Sequence, residues 1–144
     1  MAPSDRFKPI QQIADTKERK AAVALGEAIK KRDAAEKQLQ DLKDYHADYL
    51  QRFLESSKRG ISGTRLHEYQ IFLDKLELAI KEQEQAVVIA KQACTNSKQA
   101  WAGTYTKKQA MHNAVDRMKA SEEHDKLQGE QKETDELGGR RRGR

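Results

Sequence analysis

Proline is nearly missing from this chain: among 144 residues only Pro3 and Pro9 are proline, and both lie near the N-terminal end. Inside a helix proline removes a backbone hydrogen bond and clashes with the preceding turn, so the long stretch after Pro9 is free to be helical. Cysteine occurs once, as Cys94, which excludes an internal disulfide and a cysteine-built zinc knuckle and fits a reducing compartment. Hydrophobic residues make up 36% and aromatic residues 6% of the chain, less than a thick globular core needs. Long apolar runs are missing as well. Nowhere do ~20 consecutive apolar residues occur, and the N-terminus has no run of signal-peptide type, so a protein that is soluble or at most peripheral to a membrane is expected.

What the chain does have is charge and good helix formers. Asp, Glu, Lys and Arg make up 35% of it with a net charge of +5, and the signs are interspersed as on solvated helix faces. Ala, Lys, Gln, Glu and Leu favour helix. An extended helical assembly that buries a narrow stripe satisfies both observations.

Apolar residues recur at the spacing of such a stripe. Leu66, Leu73, Ile80, Val87, Cys94, Trp101 and Val115 fall on one seven-residue series, interrupted by Lys108. Tyr69, Leu76, Gln83, Ala90, Ser97, Thr104, Met111 and Met118 fall on the series three positions later. Upstream, Ala14, Ala21, Ala28, Ala35, Leu42 and Tyr49 repeat every seven, with Leu25, Leu39 and Phe53 four positions after members of that series. Sustained spacing of three and four marks one face of a supercoiled helix.

Between the two patterns lies Arg59-Gly60-Ile61-Ser62-Gly63-Thr64. Two glycines three apart break a helix, and Thr64 is the expected N-cap of the second arm. The reading is all-α: a long two-helix antiparallel coiled-coil hairpin, since a short turn between long helices favours antiparallel neighbours. The expected segments are a flexible 1–8, a first arm 9–58, a turn 59–64, a second arm 65–118, and a polar, basic tail 119–144, either helical or disordered. A continuous helix dimerising in trans is the alternative, against which the glycines argue. Large residues near the turn and alanines far from it predict that the turn half is the more stable and that the open ends fray.

Near the turn there is more apolar surface than one seam needs. Gln38, Leu42, Tyr45 and Tyr49 form one stripe at i, i+4, i+7, i+11, and Phe72, Leu76, Ala79 and Gln83 form another. If Leu39, Phe53, Leu73 and Ile80 hold the seam, both stripes lie beside it, as an exposed patch that marks a protein interface. The competing reading is one broad seam, since Leu42, Tyr49 and Leu76 also fit core positions.

Other signals carry no chemistry. His46, His67, His112 and His124 lack the spacing of a helical zinc site, and the turn lacks the phosphate-loop pattern. A two-helix rod offers no pocket to set two carboxylate pKa values apart. Neither an enzyme nor a cofactor or metal site is expected. The terminal Arg140, Arg141, Arg142 and Arg144 have no interleaved aromatics for base stacking, so nucleic acid is not the expected partner. Salt-dependent binding lost on truncation at Gly138 is what a nucleic-acid reading requires.

The letters themselves resemble a family. Gln38 to Tyr49 (QLQDLKDYHADY), the Gly60-Ile61 turn, Arg65, and Tyr69 to Ile80 (YQIFLDKLELAI) look like FliJ. The close match covers residues 38 to 83, and elsewhere the likeness is of architecture. The resemblance implies a non-enzymatic cytoplasmic component of the flagellar type III export apparatus, peripheral to the inner membrane through that apparatus and similar in shape to the central stalk of rotary ATPases. It implies as partners a hexameric export ATPase (FliI-like), the cytoplasmic domain of the export gate protein (FlhA-like) and export chaperones, which the family helps to recycle. The family's gate-binding surface carries over onto Gln38, Leu42, Tyr45, Tyr49, Phe72, Leu76 and Ala79, with Gln83 where the family can have histidine; glutamine hydrogen-bonds but cannot charge. Lys126, Lys132, Asp135 and Glu136 are the candidate ATPase-facing residues. The runner-up is the equivalent stalk of a virulence type III injectisome, with the same architecture and different partners.

Overall fold

In a computed structural model, which describes residues 2–142 and the side chains of 2–139, a short 3₁₀ turn, Pro3–Phe7, leads into helix α1, Lys8–Arg59, and then helix α2, Gly63–Arg142. The two helices pack against each other antiparallel and no strand occurs among the described residues, so the hairpin expected from the periodicity is what forms. Pro9 falls in the first turn of α1, where a missing N–H costs nothing. The tail after Met118 is helix through Arg142. The side chains of Arg140, Arg141 and Arg142 and the whole of residues 143 and 144 lie outside the described residues.

The turn shows why the chain reverses where it does. Gly60 has φ +88°, left-handed backbone that costs little only for glycine, and its N–H donates to the Ser57 carbonyl at 3.3 Å. Lys58 and Arg59 place positive charge on the carbonyl end of α1. Ser62 then caps α2: its Oγ accepts from the Arg65 N–H at 3.2 Å, and its carbonyl accepts from the Leu66 N–H at 2.9 Å. The expected cap, Thr64, lies inside the helix instead, because α2 already begins at Gly63. The two glycines therefore differ in kind: Gly60 supplies a positive φ and Gly63 is simply the first helical residue.

Contacts divide the chain into two units, a turn unit, Ala22–Gln99, and a terminal unit, Met1–Ala21 with Ala100–Arg144. In the turn unit Leu73, Leu76, Val87 and Cys94 are buried, and Leu25, Leu39, Phe53 and Ile80 are half-buried around them. Each lies on one of the expected seven-residue series. In the terminal unit Val115 is 1% exposed, the most enclosed large side chain of the described residues. Ser4 is also buried there; its N–H and its Oγ–H donate to the two oxygens of the Glu122 carboxylate, each at 2.8 Å. Glu122 follows Val115 by seven, so the series runs one repeat past Met118.

On α1 the seam is not uniformly apolar. Gln11, Glu18, Arg32 and His46 occupy the same seven-residue series as Leu25, Leu39 and Phe53, and all are half-buried. A buried polar group is costly unless paired, and α2 supplies a neighbour for each. Within the terminal unit, the Gln11 amide meets His112 Nδ1 at 3.3 Å. Glu18 accepts from the Trp101 indole N–H at 3.0 Å and lies 3.6 Å from Lys108 Nζ. Lys108, which interrupts the apolar series, is thus the seam's countercharge. Within the turn unit, Arg32 reaches Cys94 Sγ at 3.6 Å, and His46 Nε2 faces Glu77 at 3.5 Å without completing a hydrogen bond.

Candidate partner-binding surface

The turn unit joins its helices through rings. Tyr45, Tyr49 and Phe53 come from α1, and Tyr69 and Phe72 from α2; the spacings of three and four bring them to facing positions. Phe53 meets Tyr69 at 5.5 Å between centroids, Tyr69 meets Tyr49 at 5.2 Å, Tyr49 meets Phe72 at 4.4 Å, and Phe72 meets Tyr45 edge-on at 6.0 Å. Tilted and edge-to-face pairs at these distances add to what burial alone contributes. The ladder starts in the seam at Phe53 and ends at Tyr45, which is 53% exposed.

This ladder sorts the eight residues expected to form the flank. Gln38 and Tyr45 on α1 are exposed, and Phe72 and Ala79 on α2 are half-buried beside them. Leu42, Tyr49 and Gln83 are half-buried too and Leu76 is buried; all four occupy core-series positions of their helices. Leu76 is only 8% exposed. Gln83 turns inward and donates its amide to the Ala35 carbonyl at 3.0 Å. The reason is geometric: four residues of the eight fall on the core series of their helices, and the seam is broad enough to take them. The most open of the eight are Gln38 and Tyr45, the latter in edge-on contact with the half-buried Phe72.

The other candidate residues are placed differently. Lys126, Lys132, Asp135 and Glu136 all stand exposed on the last part of α2, in the terminal unit. Asp135 accepts from the Gln131 amide at 3.2 Å within the same helix. Exposed Leu127 and Leu137 interrupt an otherwise largely polar stretch.

Among the described residues no group of three His, Cys, Asp or Glu side chains is placed to hold a metal ion, and no helix is long and apolar enough to cross a membrane. The family description "Flagellar FliJ protein" matches residues 3–144.

The chain belongs to the FliJ family.

It is therefore a protein of flagellar type III export. No individual curated protein matches the chain. The FliJ match spans both units and the whole turn, whereas the close likeness of letters covers only 38 to 83. What periodicity did not reveal in this FliJ-family chain is the polar half of the seam. Glu18, Arg32 and His46 look like solvated helix charges until α2 supplies Trp101, Cys94 and Glu77 opposite them. The only hint was that large apolar residues occupy every second place of that series, at Leu25, Leu39 and Phe53.

Proposed function

We propose that this chain is a non-enzymatic stalk and adaptor of the flagellar export apparatus, coupling a FliI-like hexameric ATPase to the cytoplasmic domain of an FlhA-like gate protein and helping export chaperones to recycle. It works in the cytoplasm, at the membrane face of the flagellar base, held there through its partners. The observation that carries this reading is the exposed end of the aromatic ladder: Tyr45, with Gln38, Phe72 and Ala79, offers an apolar flank with a polar rim, the composition of a protein interface. The mixed charges at Lys126, Lys132, Asp135 and Glu136 form the ATPase-facing end. Exposed ion pairs contribute little each and are screened by salt, so such a surface can rearrange as the ATPase cycles. Coupling requires that the two ends bind different ATPase and gate states with different strength.

The test is binding of the purified chain to the cytoplasmic domain of the gate by calorimetry. Tyr45→Ala together with Gln38→Ala is expected to weaken binding on the order of tenfold or more with helicity unchanged. Undiminished binding by that double variant would remove the flank from the gate interface. In parallel, reversing Lys126, Lys132, Asp135 and Glu136 together is expected to weaken capture by the ATPase hexamer and leave gate binding intact.

A further inference from the structure

The terminal unit carries an apolar groove in addition to its exposed charges. It lies between the two helices over residues 7–17 and 104–118, has a volume of about 540 Å³, and is floored by Ala14, Met111, Val115 and Met118. Ile10 and Ile13 form one wall and stand 44% and 55% exposed. At ~1.5 Å of rise per residue the lined stretches are roughly 15 to 20 Å long, about three to four turns of helix. An apolar face of this extent is normally covered by something.

Charge identifies the cover. No carboxylate lines the groove, and its charged residues are Lys17 from α1 and Lys107 from α2. Lys20 and Arg117 follow the lining residues Lys17 and Ala114 by three positions, which puts them along the outer edges of the same faces. None of these four cations forms an ion pair within the described residues. Of the nearby carboxylates, Asp15 is engaged with His112, Glu18 with Trp101 and Lys108, and Glu122 with Ser4; Asp116 is exposed and does not line the groove.

We infer that this groove docks one amphipathic α-helix of a partner protein, apolar along one face and acidic along its margins. A concave trough between two helices takes a third cylinder of the same kind; a bilayer surface is flat and leaves the floor unfilled. The chain's own acidic stretch after Met118, offered by a second copy, fits less well. Between residues 119 and 139 it has only Ala120, Leu127 and Leu137 as apolar residues, too few to cover the floor. Docking here depends on the groove and its rim alone and stands whether or not the Tyr45 flank binds the gate.

The test uses the full chain and two labelled 15-residue helical peptides that share a leucine face and differ only in carrying glutamate or lysine along its margins. Fluorescence anisotropy at low salt is expected to show the glutamate peptide binding on the order of tenfold more tightly. Lys17→Glu with Lys107→Glu is expected to reverse that preference. Ile13→Gln is expected to weaken both peptides, with circular dichroism unchanged because Ile13 is more than half exposed. Equal affinity for the two peptides, or no binding of the glutamate peptide, overturns the inference. So does binding to phosphatidylcholine–phosphatidylglycerol vesicles in place of the peptide. Light scattering that finds a dimer dissociated by Ile13→Gln also overturns it, by assigning the groove to a second copy.

Discussion

The rings of Tyr49 and Phe72 lie 4.4 Å apart between centroids, the closest approach in the aromatic ladder, and tie the two helices together just below the turn. Tyr49 also touches Tyr69 and Tyr45, so it is the ladder's centre. Tyr49→Ala is expected to destabilise the hairpin by about 2–3 kcal/mol. Tyr45→Ala removes a ring that is more than half exposed and is expected to lower stability by less than about 1 kcal/mol. Urea melts followed by circular dichroism measure both; equal losses would mean that Tyr45 is as much a core residue as Tyr49.

Glu18 joins two α2 residues, Trp101 and Lys108, in a largely enclosed position. Removing it leaves a part-buried indole N–H and an ammonium without their acceptor, which is expected to cost about 1–3 kcal/mol. Glu18→Gln keeps an oxygen for the indole and loses the countercharge, so its cost should be the smaller. Trp101 is the only tryptophan, and its emission reads the site directly: Glu18→Ala should shift the emission maximum, and an unchanged spectrum would show that the indole bond is not formed in solution.

Acid sensitivity is expected at Asp15. His112 Nε2 lies 2.7 Å from Asp15 Oδ1, with Gln11 at the other ring nitrogen. The His112 hydrogen bond, helped by the positive charge of His112, Lys108 and Arg19, holds the Asp15 carboxyl below its ordinary value against a smaller opposing effect of burial. A carboxylate depressed in the folded state stabilises the fold above its ordinary pKa and loses that contribution as pH falls through the lowered value. Thermal midpoints measured from neutral pH down through the carboxylate range should therefore drop, and Asp15→Asn should flatten the acid end of that curve. Parallel curves for the two proteins would show that another carboxylate dominates.

The turn glycines are expected to respond in opposite directions. No atom crowds a Cβ at either position, so only the backbone matters. Gly60→Ala forces alanine to φ +88° and should cost about 1–2 kcal/mol. Gly63→Ala sits in helical backbone and should be neutral or stabilising by up to about 1 kcal/mol. Ser62→Ala removes the cap and should cost about 1 kcal/mol. Chemical denaturation separates the three, and a large loss at Gly63 would contradict the assigned helix start.

Much of the fold is legible from letters because a coiled coil writes its contacts at a fixed period. Leu73, Val87, Cys94 and Val115 stand on one seven-residue series and are all buried. Lys108, which looked like an interruption, keeps its place on that series through Glu18. The candidate surface was only half legible. Tyr45 and Leu76 belong to similar stripes near the turn, yet one is 53% exposed and the other 8%. Thr64 and Ser62 are both good capping types, and only the position of the left-handed Gly60 decides between them.

By itself the sequence determined that the chain is helical, that it has two arms, and which residues can face inward, because propensity and period act within one helix. The tertiary structure decided which candidates the opposing helix covers and which polar seam residues find a partner. Those outcomes depend on the rotation and register of α2 against α1, and each is set by pairs of side chains far apart in the chain.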